Sequence, residues 1–130
     1  MARILLIDDD NECLLILKTI LKDASHNVYM LSMTKDLLLE IKSFRPDLII
    51  TDIMMPGLSG ASVYDLIRGH LGPKFPIIVS SATTLHIRHK TDRFIDECPK
   101  PVDRDKLLFT VENLLARAKD KEPKPNTGAN

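Results

Sequence analysis

The run Leu48-Ile49-Ile50 leads through Thr51 to Asp52 and breaks at once into Ile53-Met54-Met55-Pro56-Gly57. An apolar run too short for a helix and stopped by a Pro-Gly pair reads as a buried strand, so Asp52 stands at a strand's carboxyl end. In open α/β sheets that edge is where ligands bind, because the loops leave a crevice there. A second run, Arg3-Ile4-Leu5-Leu6-Ile7, ends in Asp8-Asp9-Asp10, and two later strand ends carry Ser81 and Lys100. Acids, a hydroxyl and an amine on four strand tips suit a divalent cation and a phosphoryl group.

The rest of the chain alternates between strand and helix patterns. Asp10 is placed to cap a helix carrying Leu14, Leu17, Leu21 and Ala24 at helical spacing, with Ser25 to Asn27 ending it. Val28 to Leu31 is a second strand, and Thr34 caps a helix with Leu37, Leu38, Ile41 and Phe44 on one face, closed by Pro46. Beyond Pro56-Gly57, a third helix puts Val63, Leu66, Ile67 and His70 on one side and ends at Gly69 and Gly72. Pro76 opens a fourth strand, Ile77 to Ser81, and Phe94 to Cys98 forms a fifth. Asp103 then caps a last helix with Leu107, Leu108, Val111, Leu114, Leu115 and Ala118. Five strand-helix units imply right-handed crossovers and a parallel sheet covered on both faces. Residues 1–118 read as one domain and 119–130 as a polar, Pro-containing tail or truncated linker.

The 130 residues are 44% hydrophobic, enough for a core without staples. Eighteen basic residues balance eighteen acidic ones, so no bulk charge points to nucleic acid or an anionic membrane. Cys13 and Cys98 have no metal-type spacing and read as buried free thiols. No apolar run reaches membrane-span length, and the expected location is the cytoplasm. His26 and His70 read as surface residues at helix ends. The basic stretch His86, Arg88, His89, Lys90 and Arg93 reads as a solvated face, and Met33, Met54 and Met55 as loop packing.

Magnesium prefers oxygen ligands and keeps several waters, so one or two carboxylates and a phosphate suffice to hold it. Asp8, Asp9 and Asp52 supply such carboxylates, whose mutual repulsion a cation and the Lys100 ammonium would offset. Capping is the better reading of Asp10. A carboxylate beside a phosphoryl group can act as nucleophile, and Asp52 is the candidate. Ser81 would donate its hydroxyl to a phosphoryl oxygen and Lys100 would neutralise another.

These four motifs, Ile7-Asp8-Asp9-Asp10, Asp52 with Met54-Met55-Pro56-Gly57, Ser81-Ala82 and Lys100-Pro101, resemble the receiver domain of bacterial two-component response regulators over residues 2–118. The resemblance implies a (βα)5 flavodoxin-like three-layer sandwich with strand order 2-1-3-4-5. It implies that Asp52 accepts phosphate from a sensor histidine kinase or phosphotransfer protein, with magnesium or manganese as cofactor. Asp9, Asp52 and the Met54 backbone carbonyl would then be direct metal ligands and Asp8 a partner acting partly through water. Ser81 and Lys100 match the family's switch hydroxyl and lysine. An unknown downstream protein would read a monomer or a weak phosphorylation-dependent dimer, without direct nucleic-acid or membrane contact.

Two departures stand out. Glu97 occupies the position where the family often has a switch aromatic, and the segment from Ser81 to Lys100 is short, so a shortened fourth helix region is expected. Three other functions compete with the switch. A phosphorylation-independent binding module of the same fold would have no use for Asp52, Ser81 and Lys100 together. A magnesium-dependent phosphatase with an aspartyl nucleophile usually needs a second acid close behind it, where this chain has Met54. A flavin or nucleotide carrier would meet repulsion from Asp8 to Asp10.

Overall fold

The computed structural model describes residues 1–32, 36–52, 54–55, 58–81 and 92–119, with the backbone alone from 54 to 62 and at Ser81. Thr34, Pro56-Gly57, the shortened fourth-helix region, the basic stretch from His86 to Lys90 and the tail beyond Lys119 lie outside the described residues. Strands β1 (Arg3–Ile7), β2 (Asn27–Leu31), β3 (Leu48–Thr51), β6 (Ile77–Ser81) and β7 (Ile95–Pro99) form one sheet, and β4 (Met54–Met55) and β5 (Leu58–Ser59) a small hairpin. Among the described residues the helices are α1 (Asn11–Asp23), α2 (Leu37–Phe44), α3 (Gly60–Leu71) and α4 (Arg104–Lys119).

The sheet runs β2-β1-β3-β6-β7 with every pair parallel, which is the expected order once the hairpin is set aside. Successive strand residues point to opposite faces, so a strand buried on both faces has to be apolar throughout. Ile4, Leu6, Leu48, Ile50, Ile78 and Cys98 face one core with Leu14, Leu17 and Leu21 of α1 and Leu107, Val111 and Leu114 of α4. Leu5, Ile7, Ile49 and Ile77 face the other, with Leu37 and Ile41 of α2 and Val63 and Ile67 of α3. Both thiols are free and buried, as read from the sequence.

The helix ends follow their caps. Asp10 accepts from the amides of Glu12 and Cys13, and Asp103 from those of Asp105 and Lys106. Such caps satisfy amides that the first helical turn leaves unpaired. At α2 the N-cap position is Asp36, with φ 59 and no side-chain cap bond. Gly69 lies inside α3 and does not end it; Gly72, with φ +94, stands just past the last turn, where a left-handed residue stops a helix. His70 is exposed, so only Val63 and Ile67 of its expected stripe are fully buried and Leu66 is half-buried.

His26 corrects an expectation. It is 6% exposed and lies under the start of β1, where the Ala2 amide donates to its Nδ1 at 3.1 Å. Its Nε2 lies 3.4 Å from Glu112 Oε2 on α4. Register explains the burial: the Asn27 amide donates to the Ala2 carbonyl at 2.8 Å to begin the β1–β2 ladder, which carries the neighbouring imidazole against Ala2.

Candidate functional site

Parallel pairing of adjacent strands brings their ends to one edge. Asp8 leaves β1 and Asp52 leaves β3, and the Asp52 amide donates to the Ile7 carbonyl at 2.9 Å, locking the two exits side by side. Asp8 is 1% exposed and Asp52 6%, while Asp9 is exposed. One oxygen of each of Asp8, Asp9 and Asp52 can lie within 4.8 Å of the others, the spacing of ligands around a single cation.

Lys100 follows β7 and reaches over the same edge. Its Nζ lies 2.8 Å from Asp8 Oδ2 and donates to Asp52 Oδ2 at 3.0 Å. Burial works against its charge, but hydrogen bonds to Asp8 and Asp52 outweigh that and push its pKa above the ordinary lysine range. The Asp10 amide holds the other Asp8 oxygen at 2.9 Å. Ser81 closes β6, paired with Pro99 of β7, and its backbone stands at this edge; its hydroxyl lies outside what is described. Met54 pairs with Ser59 in the hairpin that follows Asp52.

A divalent cation fits these residues. Two of the three acids are buried and share the Lys100 ammonium, and the carboxylates lie close enough to repel one another, so a bound cation would offset that repulsion. Asp10 stands apart as the cap of α1, as expected.

The response regulator receiver domain model matches residues 4–112 of this chain. The chain belongs to that family. Response regulator MprA of Mycobacterium tuberculosis is 32% identical over 127 residues, covering 93% of this chain and 54% of its own length. DNA-binding response regulator MtrA of Mycobacterium leprae is 29% identical over 127 residues, with 93% of this chain and 54% of that protein covered. The chain thus spans about half the length of the curated relatives it matches. Among solved structures, a response regulator receiver domain protein from Clostridium thermocellum superposes with a TM-score of 0.80 at 27% identity, covering 92% of this chain and 98% of that one. The fold is the flavodoxin-like fold of receiver domains, which act in two-component signalling by phosphorylation of an aspartate and bind magnesium in an acidic pocket.

Three features of this receiver domain add to what the sequence shows. The Cys13 thiol lies beside the acid site, where burial and then the Asp8 carboxylate push its pKa up to about 11. That makes it an inert thiol; its place three residues beyond the Asp10 cap, on the inward side of the first turn, was the available signal. Arg68 of α3 is the centre of a polar hub. It donates to Asp92 Oδ2 at 2.9 Å and to the carbonyls of Gly72, Phe75 and Phe94, while Tyr64 also donates to Asp92 at 2.7 Å. Glu97 on β7 is half-buried, and its Oε2 is shielded from solvent without a hydrogen-bond partner among the described residues.

Proposed function

We propose that Asp52 is the phosphoacceptor of a phosphorelay switch, taking its phosphoryl group from a sensor histidine kinase or a phosphotransfer protein. The observation that carries this is the position of the Asp52 carboxylate, 3.0 Å from Lys100 Nζ and within the group of three acids at the sheet's carboxyl edge. A carboxylate oxygen of Asp52 attacks phosphorus, the phosphorus–nitrogen bond of the donor phosphohistidine breaks, and the imidazole leaves with the electron pair.

Asp8, Asp9, Asp52 and the Met54 carbonyl would hold magnesium or manganese, which when bound neutralises the acids and the incoming phosphoryl charge. Lys100 keeps Asp52 oriented before transfer and afterwards binds a phosphoryl oxygen. Ser81 donates its hydroxyl to another, which draws the end of β6 toward the site. Chemistry ends there: the domain catalyses only its own phosphorylation and dephosphorylation. Its output is a shifted equilibrium between two conformations, read by a downstream protein in the cytoplasm. The receiver unit occupies residues 1–118, acting as a monomer or a weak phosphorylation-dependent dimer.

Mass spectrometry after treatment with acetyl phosphate and magnesium tests the assignment. One labile phosphate on Asp52 is expected, absent from Asp52→Asn and absent in excess chelator. Labile phosphate persisting in Asp52→Asn would remove Asp52 from the role.

A further inference from the structure

Glu97 lies on β7, the last strand of the sheet, opposite Val79 of β6. Alternation puts its side chain on the face of Ile95, which packs against the α2 and α3 core, whereas Cys98 points to the other core. An anion on that face is unexpected, and it is incompletely satisfied. Its Oε2 is out of contact with solvent and has no hydrogen-bond donor among the described residues. The neighbouring carboxylate of Asp96 accepts the Glu97 amide at 2.8 Å, so two acids lie consecutively on an edge strand. Arg68 is committed to Asp92, Phe75 and Phe94, and Lys100 to Asp8 and Asp52.

A desolvated carboxylate oxygen without a donor disfavours the state that contains it. Any conformation that gives Glu97 a cation is favoured by comparison. We propose that Glu97 is the residue of β7 that recognises the downstream protein, receiving an arginine or lysine side chain of that protein once the domain is phosphorylated. The partner therefore presents a basic segment. A guanidinium suits the role because it engages a carboxylate with two parallel hydrogen bonds. Only Cys98 and Pro99 separate Glu97 from Lys100, so when Lys100 re-aims from the Asp52 carboxylate to a phosphoryl oxygen, the strand end carrying Glu97 moves with it. The proposal rests on Asp52 being the phosphoacceptor.

The test uses the full chain with magnesium, with and without beryllium fluoride as a phosphoryl analogue, and an acetylated hexa-arginine peptide as probe. Fluorescence anisotropy should show the peptide binding at least about fivefold more tightly with the analogue, within the usual range of coupling between sites. Glu97→Gln should lose that gain and Asp105→Asn, an exposed acid on α4, should keep it. Fluorine NMR reports analogue occupancy in each protein. If the analogue fails to occupy wild-type protein, the phosphoacceptor reading falls and takes this one with it. If it occupies the site but the gain never develops, or persists in Glu97→Gln, the Glu97 proposal alone is overturned. Thermal melting gives an independent readout: replacing the carboxylate whose Oε2 lacks a donor among the described residues should raise the midpoint of Glu97→Gln without the analogue, and a lower midpoint would show that oxygen to be already satisfied.

Discussion

Lys100 makes its shorter contact, 2.8 Å, with Asp8 and its aligned hydrogen bond, 3.0 Å, with Asp52. One ammonium thus bridges the exits of β1 and β3 from the end of β7. Replacing it should leave metal binding intact, because a cation contacts the acids and not the amine, while the response to phosphorylation should fail. Each lost charge-assisted contact is worth roughly 1.5–3 kcal/mol, enough to lower the active population about tenfold or more. Magnesium titration of Lys100→Ala should give an affinity within about threefold of wild type, a change of less than roughly 1 kcal/mol. A loss as severe as that of an acid-site variant would contradict the role given to Lys100.

Asp9 offers a cleaner probe of the metal site than Asp8 does. It is exposed, whereas Asp8 is 1% exposed and holds both Lys100 and the Asp10 amide. Asp9→Asn should unfold within about 0.5 kcal/mol of wild type, the usual range for surface substitutions. Its magnesium affinity should nonetheless fall about tenfold or more, since a direct carboxylate ligand is lost. Unchanged affinity by isothermal titration would take Asp9 out of the coordination sphere.

The sheet order was legible because a parallel sheet demands unbroken apolar strands and helices with one apolar stripe, and both patterns are local. Asp8, Asp52 and Lys100 were legible for a related reason: each stands one residue past a strand, where topology alone decides the company it keeps. His26 was not. Its burial depends on β2 pairing with β1 in a register that places it beneath Ala2, and no periodicity near residue 26 reports that. Arg68 and Asp92 likewise meet across 24 positions, joined by a fold and not by a motif. Thr110 is not among the apolar residues of the α4 stripe, yet it is buried, and its hydroxyl donates to the Lys106 carbonyl at 2.8 Å.

The hub around Arg68 should make stability sensitive to acid. Asp92 has a lowered pKa: burial opposes ionisation, but hydrogen bonds from Tyr64, the Phe94 amide and Arg68 outweigh it. A carboxyl depressed in the folded state contributes stability that is fully present above its unfolded pKa, about 3.9, and is lost as pH falls through the folded value. Asp92→Asn should therefore destabilise by roughly 1.5–3 kcal/mol at pH 7 and by progressively less as pH drops below about 4. Urea unfolding across that range measures it, and a penalty independent of pH would mean that the ionised carboxylate is not what matters.

His26 allows two contacts on one ring to be separated. The Ala2 amide is buried and donates to Nδ1 at 3.1 Å, whereas Glu112, across a longer 3.4 Å gap, has a side chain 68% exposed. A buried amide left without an acceptor keeps its whole desolvation penalty, roughly 1–3 kcal/mol, while an exposed pair contributes about 0–1 kcal/mol. His26→Leu fills similar space but removes the acceptor, so it should destabilise by that larger amount and speed hydrogen exchange of the Ala2 and Asn27 amides that begin the β1–β2 ladder. Glu112→Gln should stay within about 0.5 kcal/mol of wild type. Equal losses in the two variants would place the weight on the Glu112 contact instead of the amide.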